Sequence, residues 1–394
     1  IEFMDIKIFR SVVSKIYRIC GSTYFFLHTW NEPLVHPQMI ALMDILCEYN
    51  HTCYISSNLN LHFDWEKLLS HNSLKTFVLS ISGCHQEVYA RGHRGGNVEL
   101  VLKNIEEIAK YVPKSSARVV MAFHKYKDNA FDGQILEEIC AQSGIEFLPH
   151  EGTILQNHVE NNVLAERVIW RDDKDVMENV YPRIFSEPFI FHNVSGLEAV
   201  ECNAQRYLLT IDHRGNLLTC CDPDVNTEIT IGNFLELTED EIFAKKLDFS
   251  FCKRCQKLGL HVQFPFASFM DKATSNKQII DFLQKRLPHE LYARKRIYMF
   301  GVNQFSGLIA QLLRLQGYSV AGLIDEDPKK QNSTLHGFTV YSLESVWDDL
   351  PGSVVIDVVR VMQMPLRLSG TRIERSVEVL SAEQFIRNIC SASA

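Results

Sequence analysis

The chain has 394 residues, of which 46% are hydrophobic and 22% charged, and its formal net charge is −8. This length predicts two or three domains, and the composition is ordinary for a globular protein. The negative charge argues against a nucleic-acid partner, and no apolar run reaches the roughly 18 residues that predict a membrane span. The 11 cysteines argue against a secreted disulfide framework, so a cytoplasmic, reducing location is expected.

Short apolar strands alternate with amphipathic helices in residues 1–155. Strands are predicted at 23–28, 53–57, 77–82, 118–124 and 145–149. Helices are predicted at 5–20, 38–49, 97–112 and 134–142. This alternation is typical of βαβ units with a parallel sheet, in which ligands bind at the C-terminal ends of the strands.

The remainder of the chain divides into three further segments. Residues 156–200 are predicted to be a crossover, 201–265 a small Cys-rich module, and 290–394 a separate α/β domain. The last segment begins with a strand, a turn at Gly301, a helix and a second strand ending at Asp325. Asn303 and Ser306 replace the later glycines of a dinucleotide-binding fingerprint, so tight NAD binding is not expected.

A Glu-Pro pair follows the first predicted strand, within TWNEPLVHP at residues 29–37. Proline fixes its own φ and disfavours helical backbone in the residue before it. Glu32 is therefore expected in extended backbone at the end of the strand, with its carboxylate facing whatever lies above the sheet.

The cysteines give the strongest chemical signal. Cys202 and Cys220 flank Gly215, whose DHRGN segment predicts a turn between two strands, and Cys252 and Cys255 form a C-x-x-C on one predicted loop. Four thiolates suit a 4Fe–4S cluster or a tetrahedral zinc. The wide spacing of the first pair does not fit a zinc knuckle, so we favour the cluster, with zinc as the alternative. The six scattered cysteines are expected to be small buried hydrophobes: Cys20, Cys47, Cys53, Cys84, Cys140 and Cys390.

This cysteine spacing resembles the auxiliary-cluster module of radical S-adenosylmethionine enzymes, known as the SPASM module or, when shorter, the twitch module. Three N-terminal segments resemble the same family: NEPLVHP its GGEP segment, SSN at 56–58 its TNG strand end, and LSISG at 79–83 its VSIDG segment. The resemblance implies S-adenosylmethionine (AdoMet) as cofactor. The implied cofactor-binding residues are Asn31, Glu32, Ser57, Asn58 and Ser80. The implied ligands of a single auxiliary cluster are Cys202, Cys220, Cys252 and Cys255.

One family motif has no counterpart in the sequence: the C-x3-C-x2-C that binds the cofactor-cleaving cluster. We expect that it was trimmed rather than lost naturally, and that this chain alone releases no 5′-deoxyadenosine. The implied fold is α/β, with a partial (β/α) barrel, a small Cys-rich module and a C-terminal Rossmann-like domain.

The implied activity is modification of a small substrate through a 5′-deoxyadenosyl radical, with a reductase as electron donor. A sugar or nucleotide-sugar is the first expectation, because the C-terminal segment resembles the Rossmann-like domain of sugar-modifying proteins. A peptide-modifying radical enzyme is one alternative. A non-catalytic binding protein stabilised by zinc or a cluster is the other.

Overall fold

The computed structural model of the protein describes residues 2–27, 31–151, 174, 176–183, 202, 204–205, 208–220, 229–262, 292, 294–302, 304–358, 368, 371, 374–381, 384–385 and 388. They fall into two compact units. The first unit lies within 1–160, 170–185 and 204–252, and the second within 161–169, 186–203 and 253–394. The first unit thus contains both the N-terminal sheet and most of the predicted Cys-rich module. The domain boundaries given above remain predictions.

The first unit contains a five-stranded parallel sheet, as predicted. Its elements are α1 (Ile6–Cys20), β1 (Tyr24–Phe26), α2 (Met39–Glu48), β2 (Thr52–Ser57), α3 (Trp65–Leu69), β3 (Leu74–Ile81), α4 (Gln86–Gly92), α5 (Val98–Ala109), β4 (Arg118–Lys125), α6 (Ala130–Ser143) and β5 (Glu146–Glu151). The strands follow the order β1-β2-β3-β4-β5, and every neighbouring pair is parallel. Closure of this sheet into a partial barrel stays a prediction.

Local sequence explains where the first helix begins and ends. The Asp5 side chain accepts hydrogen bonds from the backbone N–H groups of Lys7 and Ile8 and so caps α1. The helix ends at Cys20 and is followed by Gly21, whose φ of +70° is unfavourable for other residues. The buried face of α1 carries Phe9, Val12, Val13 and Ile16, at the helical spacing that predicted it.

A small antiparallel sheet completes the first unit. Its strands are β6 (Thr210–Ile211), β7 (Asn216–Leu218) and β8 (Thr230–Asn233), followed by α7 (Glu239–Leu247) and α8 (Ser250–Lys257). The predicted turn is confirmed, with Gly215 at φ +85° and its N–H bonded to the Asp212 carbonyl at 3.0 Å. The sheet belongs to one hydrophobic cluster with α1, in which Leu217 and Phe234 join Val12.

The second unit contains a six-stranded sheet. Its elements are β9 (Ile297–Phe300), α9 (Gln304–Leu315), β10 (Val320–Ile324), β11 (Thr334–Leu335), β12 (Phe338–Tyr341), α10 (Leu343–Val346), β13 (Val354–Asp357) and β14 (Glu378–Ser381). The order is β11-β12-β10-β9-β13-β14, and only the β11–β12 pair is antiparallel among these strands. The predicted strand, turn, helix and strand after 294 are confirmed, and the Rossmann-like assignment stays a prediction. Within the described residues, no helix has the length and apolarity to cross a bilayer.

Candidate functional site

Glu32 ties the loop after β1 to the end of β2. Its Oε1 accepts a hydrogen bond from the backbone N–H of Leu34 at 3.2 Å, and its Oε2 accepts one from the N–H of Asn58 at 2.8 Å. The Glu32 backbone is extended, with φ −86° and ψ 107°, as the following proline requires. The carboxylate therefore lies at the C-terminal edge of the sheet, as the sequence predicts.

Burial raises the pKa of Glu32, while hydrogen bonds from Asn58, Leu34 and the Ser57 side chain act to lower it. The groups that shift this pKa in the described structure include no lysine or arginine. An ionised carboxylate offers about four acceptor positions, and bonds from the described residues account for three of them. A cationic donor at the fourth position would stabilise the ionised form.

Polar side chains of the loop that follows β2 hydrogen-bond to the backbone of the same loop. The Ser57 hydroxyl accepts from the N–H of Leu59 at 3.0 Å, and Asn58 Oδ1 accepts from the N–H of Asn60 at 2.9 Å. Leu59 has φ +59°, a left-handed conformation that is uncommon for a residue other than glycine. The Tyr89 hydroxyl donates to the Asn58 carbonyl at 3.1 Å and accepts from the Asn60 amide.

Asn104 of α5 hydrogen-bonds to the same loop. The sequence did not predict this role. Asn104 Nδ2 donates to the carbonyls of Leu59 and Leu61, both at 2.8 Å, and its Oδ1 accepts from Trp65 Nε1 at 3.2 Å. The residue is only 5% exposed. The available signal was an amide on the apolar face of a predicted helix, because a buried polar group needs hydrogen-bond partners.

The predicted cofactor residues fall into three positions. Glu32, Ser57 and Asn58 are joined by the hydrogen bonds above. Ser80 lies on the neighbouring strand, one residue beyond the partner of Ser57, and its Oγ lies 3.0 Å from His124 Nε2. Asn31 is exposed in the loop after β1, and Trp30 lies outside the described residues.

A cavity of about 460 Å³ lies beside this edge, a size ordinary for small-molecule sites. Asn31 and Glu32 contribute polar atoms to its wall. Most of the remaining wall is apolar and comes from α1, β1 and the β6–β7 hairpin, including Phe9, Phe25 and Ile211. Glu2 and Asp212 also line this cavity, so Glu32 is one of three acidic residues there that can orient a ligand with a positive charge.

The cysteine pair near residue 250 lies on a helix, so its predicted loop setting is wrong. Cys252 and Cys255 are buried on α8, and their spacing places both side chains on one helix face, which suits two ligands of one metal centre. Cys202 and Cys220 are half-buried. Cys220 and Cys252 belong to the first unit and the other two to the second, and the four-cysteine set stays a prediction.

The carboxylate of Asp325, in the second unit, accepts hydrogen bonds from neighbouring groups of the same unit. Its Oδ2 accepts from the N–H of Val302 at 2.7 Å and from Lys330 Nζ at 3.0 Å, while Oδ1 accepts from the N–H of Asp327 at 2.9 Å. Burial acts to raise the pKa of Asp325, but these bonds outweigh it and lower the pKa. Asn303 lies outside the described residues, and the expectation of weak NAD binding stays a prediction.

No known family profile and no curated protein matches the chain. Among solved structures, native anSMEcpe with bound AdoMet and the Kp18Cys peptide is 15% identical over 66% of this chain and 75% of its own, with a TM-score of 0.42. Streptococcus suis SuiB bound to S-adenosylmethionine is 14% identical over 63% of this chain and 65% of its own, with a TM-score of 0.38. Both structures contain the cofactor that the sequence resemblance implies, although likeness at this level decides neither fold nor function.

The expected sugar or nucleotide-sugar partner is contradicted by this comparison. The anSMEcpe structure contains a bound peptide in addition to AdoMet. The sugar expectation depended on the C-terminal segment alone, and a general α/β fold does not specify a substrate.

Proposed function

We propose that this protein binds AdoMet at the C-terminal edge of its N-terminal parallel sheet and is part of a radical enzyme that modifies a peptide. The observation that carries the proposal is the partly buried Glu32 carboxylate, held at the edge of the sheet by the N–H groups of Asn58 and Leu34. The AdoMet ammonium is a suitable donor, because a charge-assisted hydrogen bond offsets the cost of keeping this carboxylate ionised.

A peptide is the alternative substrate class that the sequence suggests, and the comparison does not contradict it. It is also the kind of molecule in the anSMEcpe structure. Cys202, Cys220, Cys252 and Cys255 are the proposed ligands of an auxiliary iron–sulfur cluster, which would carry an electron or bind substrate. On this chain, Glu32 orients the cofactor, and Ser57 and Asn58 hold Glu32.

Replacing Glu32 with glutamine should weaken AdoMet binding by about 10- to 100-fold, the range expected for loss of one hydrogen bond to a charged group. Glutamine preserves the size of the side chain but cannot pair with the ammonium as an anion. Calorimetric titration of the purified protein measures the affinity. Glu48→Gln is the matched control, because Glu48 is an exposed carboxylate paired with Arg10 on the helical surface. Equal affinities in wild type and Glu32→Gln would refute the role of Glu32.

A further inference from the structure

Three potential metal ligands converge after β3, away from the residues assigned to the cofactor. Cys84 and His85 lie in the turn between β3 and α4, and Asp132 lies in the first turn of α6. Their ligand atoms all lie within 4.8 Å of one another. Asp132 is separated from the other two by 47 and 48 residues, so the fold itself creates the group.

The three atoms have a spacing that a metal can use. Cys84 Sγ lies 3.7 Å from His85 Nδ1, close to the separation of about 3.6 Å that tetrahedral zinc–sulfur and zinc–nitrogen bonds produce. His85 Nδ1 lies 2.7 Å from Asp132 Oδ1, as a direct hydrogen bond. A metal between these two atoms would widen the gap to about 3.4 Å, which the exposed His85 ring can accommodate.

The Asp132 carboxylate is already oriented for ligation. Its Oδ2 accepts from the backbone N–H groups of Cys84 at 2.7 Å and His85 at 3.2 Å, which leaves Oδ1 facing the other two ligands. Such outer hydrogen bonds fix the orientation of metal-binding carboxylates. Gly83 permits this approach, since a Cβ there would lie 2.8 Å from Oδ2.

The backbone hydrogen bonds from Cys84 and His85 occupy only one of the two Asp132 oxygens. The side chain of Asp132 is 4% exposed, and in the described structure its Oδ1 is bonded to the His85 ring rather than to a lysine or arginine. A cavity of about 620 Å³ borders Cys84 and His85 and continues along Gly96, Asn97 and Val98. A metal held by the three ligands would thus have one coordination position open to this space, as in zinc sites that bind a water or substrate.

We propose that Cys84, His85 and Asp132 form a binding site for zinc or a similar borderline divalent cation, with its open position facing this cavity. The cation takes the place of the proton between His85 Nδ1 and Asp132, and that proton moves to Nε2. The thiol proton of Cys84 is released to solvent as the metal–sulfur bond forms. A thiolate, an imidazole and a carboxylate together are ligands that zinc accepts.

The test is zinc protection of Cys84 against alkylation, read residue by residue by mass spectrometry of the chelator-treated full chain. Zinc should slow alkylation of Cys84 at least about tenfold in wild type. Cys20 is the internal control, because it is exposed and distant in sequence from this group. Its alkylation should be unchanged by zinc.

His85→Ala is the decisive variant, because the His85 side chain is 57% exposed and its removal should not unfold the protein. It should abolish zinc protection of Cys84 and weaken zinc binding there by roughly 100-fold or more. His62→Ala, a change of another exposed histidine, should leave protection intact. Absence of protection in wild type, or equal protection in His85→Ala, would overturn the proposal. The readout is specific to Cys84, so neither AdoMet binding nor metal at other cysteines affects the outcome.

Discussion

Replacing Asn104 with leucine should lower the free energy of unfolding by about 3 kcal/mol or more, since three polar groups lose their partner and each costs at least about 1 kcal/mol. The substitution removes the donor from the carbonyls of Leu59 and Leu61 and the acceptor from Trp65 Nε1. These groups cannot turn to solvent easily, because Leu59 is fully buried and Trp65 is 4% exposed. Urea unfolding followed by tryptophan fluorescence measures the loss.

Asn72→Leu is the control for this prediction, because Asn72 is exposed in a turn. Its effect should stay within about 0.5 kcal/mol. A loss in Asn104→Leu no larger than in this control would mean that the loop after β2 does not depend on the amide. Asn104→Leu should also weaken AdoMet binding, since the loop carries Asn58 and hence one of the bonds to Glu32.

Acidification from pH 7 to pH 5 should cost about 2 kcal/mol of stability through His93 alone. Burial lowers the pKa of His93 to about 4, although a hydrogen bond with the Ser80 backbone opposes the shift. Its ring stacks on Tyr89 at 4.6 Å, and Nδ1 lies 2.8 Å from the Ser82 hydroxyl. In the unfolded chain the pKa is about 6.5, so between these values the unfolded state binds the extra proton. Stability from this group is therefore present above pH 6.5 and lost as the pH falls towards 4.

His93→Phe removes the titrating group while keeping a ring against Tyr89. Its free energy of unfolding should vary less between pH 7 and pH 5 than that of wild type, by the same amount of about 2 kcal/mol. His62→Phe, at an exposed position, should retain the wild-type slope. Identical slopes in wild type and His93→Phe would show that the folded protein does not keep His93 neutral between pH 7 and pH 5.

The sequence predicted elements whose pattern is local. The alternation of apolar strands and amphipathic helices was sufficient for the parallel sheet, and the turn at Gly215 followed from residue types that favour turns. The predicted helix 97–112 ends earlier, at Ala109, and a 3₁₀ turn containing Pro113 follows it. The short helices α3 and α4 were missed because five to seven residues give little periodicity.

The start of α6 depends on contacts that no local pattern contains. It begins at Ala130 rather than at 134, directly after Asn129, which is 1% exposed. Asn129 Nδ2 donates to the carbonyl of Ser82, 47 residues earlier, at 2.8 Å. The helix start is thereby fixed by tertiary hydrogen bonds. Asp132 reaches Cys84 only because of this placement, so Cys84, expected to be an inert buried thiol, has polar neighbours.

The position of Glu32 was predictable, whereas its partners were not. Glu-Pro after a strand specified the backbone and the edge of the sheet. The bond from Asn58 to Glu32 requires β1 and β2 to be adjacent and in register, with Tyr24 opposite Thr52. Tyr89 and Asn104 lie still further along the chain and contact the site through the folded loop.

Calorimetric titration of wild type and Glu32→Gln with both AdoMet and 5′-methylthioadenosine tests the central claim most directly. The second ligand has the adenosyl group but lacks the amino-acid end, so it offers no ammonium to Glu32. We predict that Glu32→Gln weakens AdoMet binding by about 10- to 100-fold and changes methylthioadenosine binding by less than about twofold. Equal weakening of both ligands, or no weakening of AdoMet, would contradict the assignment of Glu32 to the cofactor's ammonium.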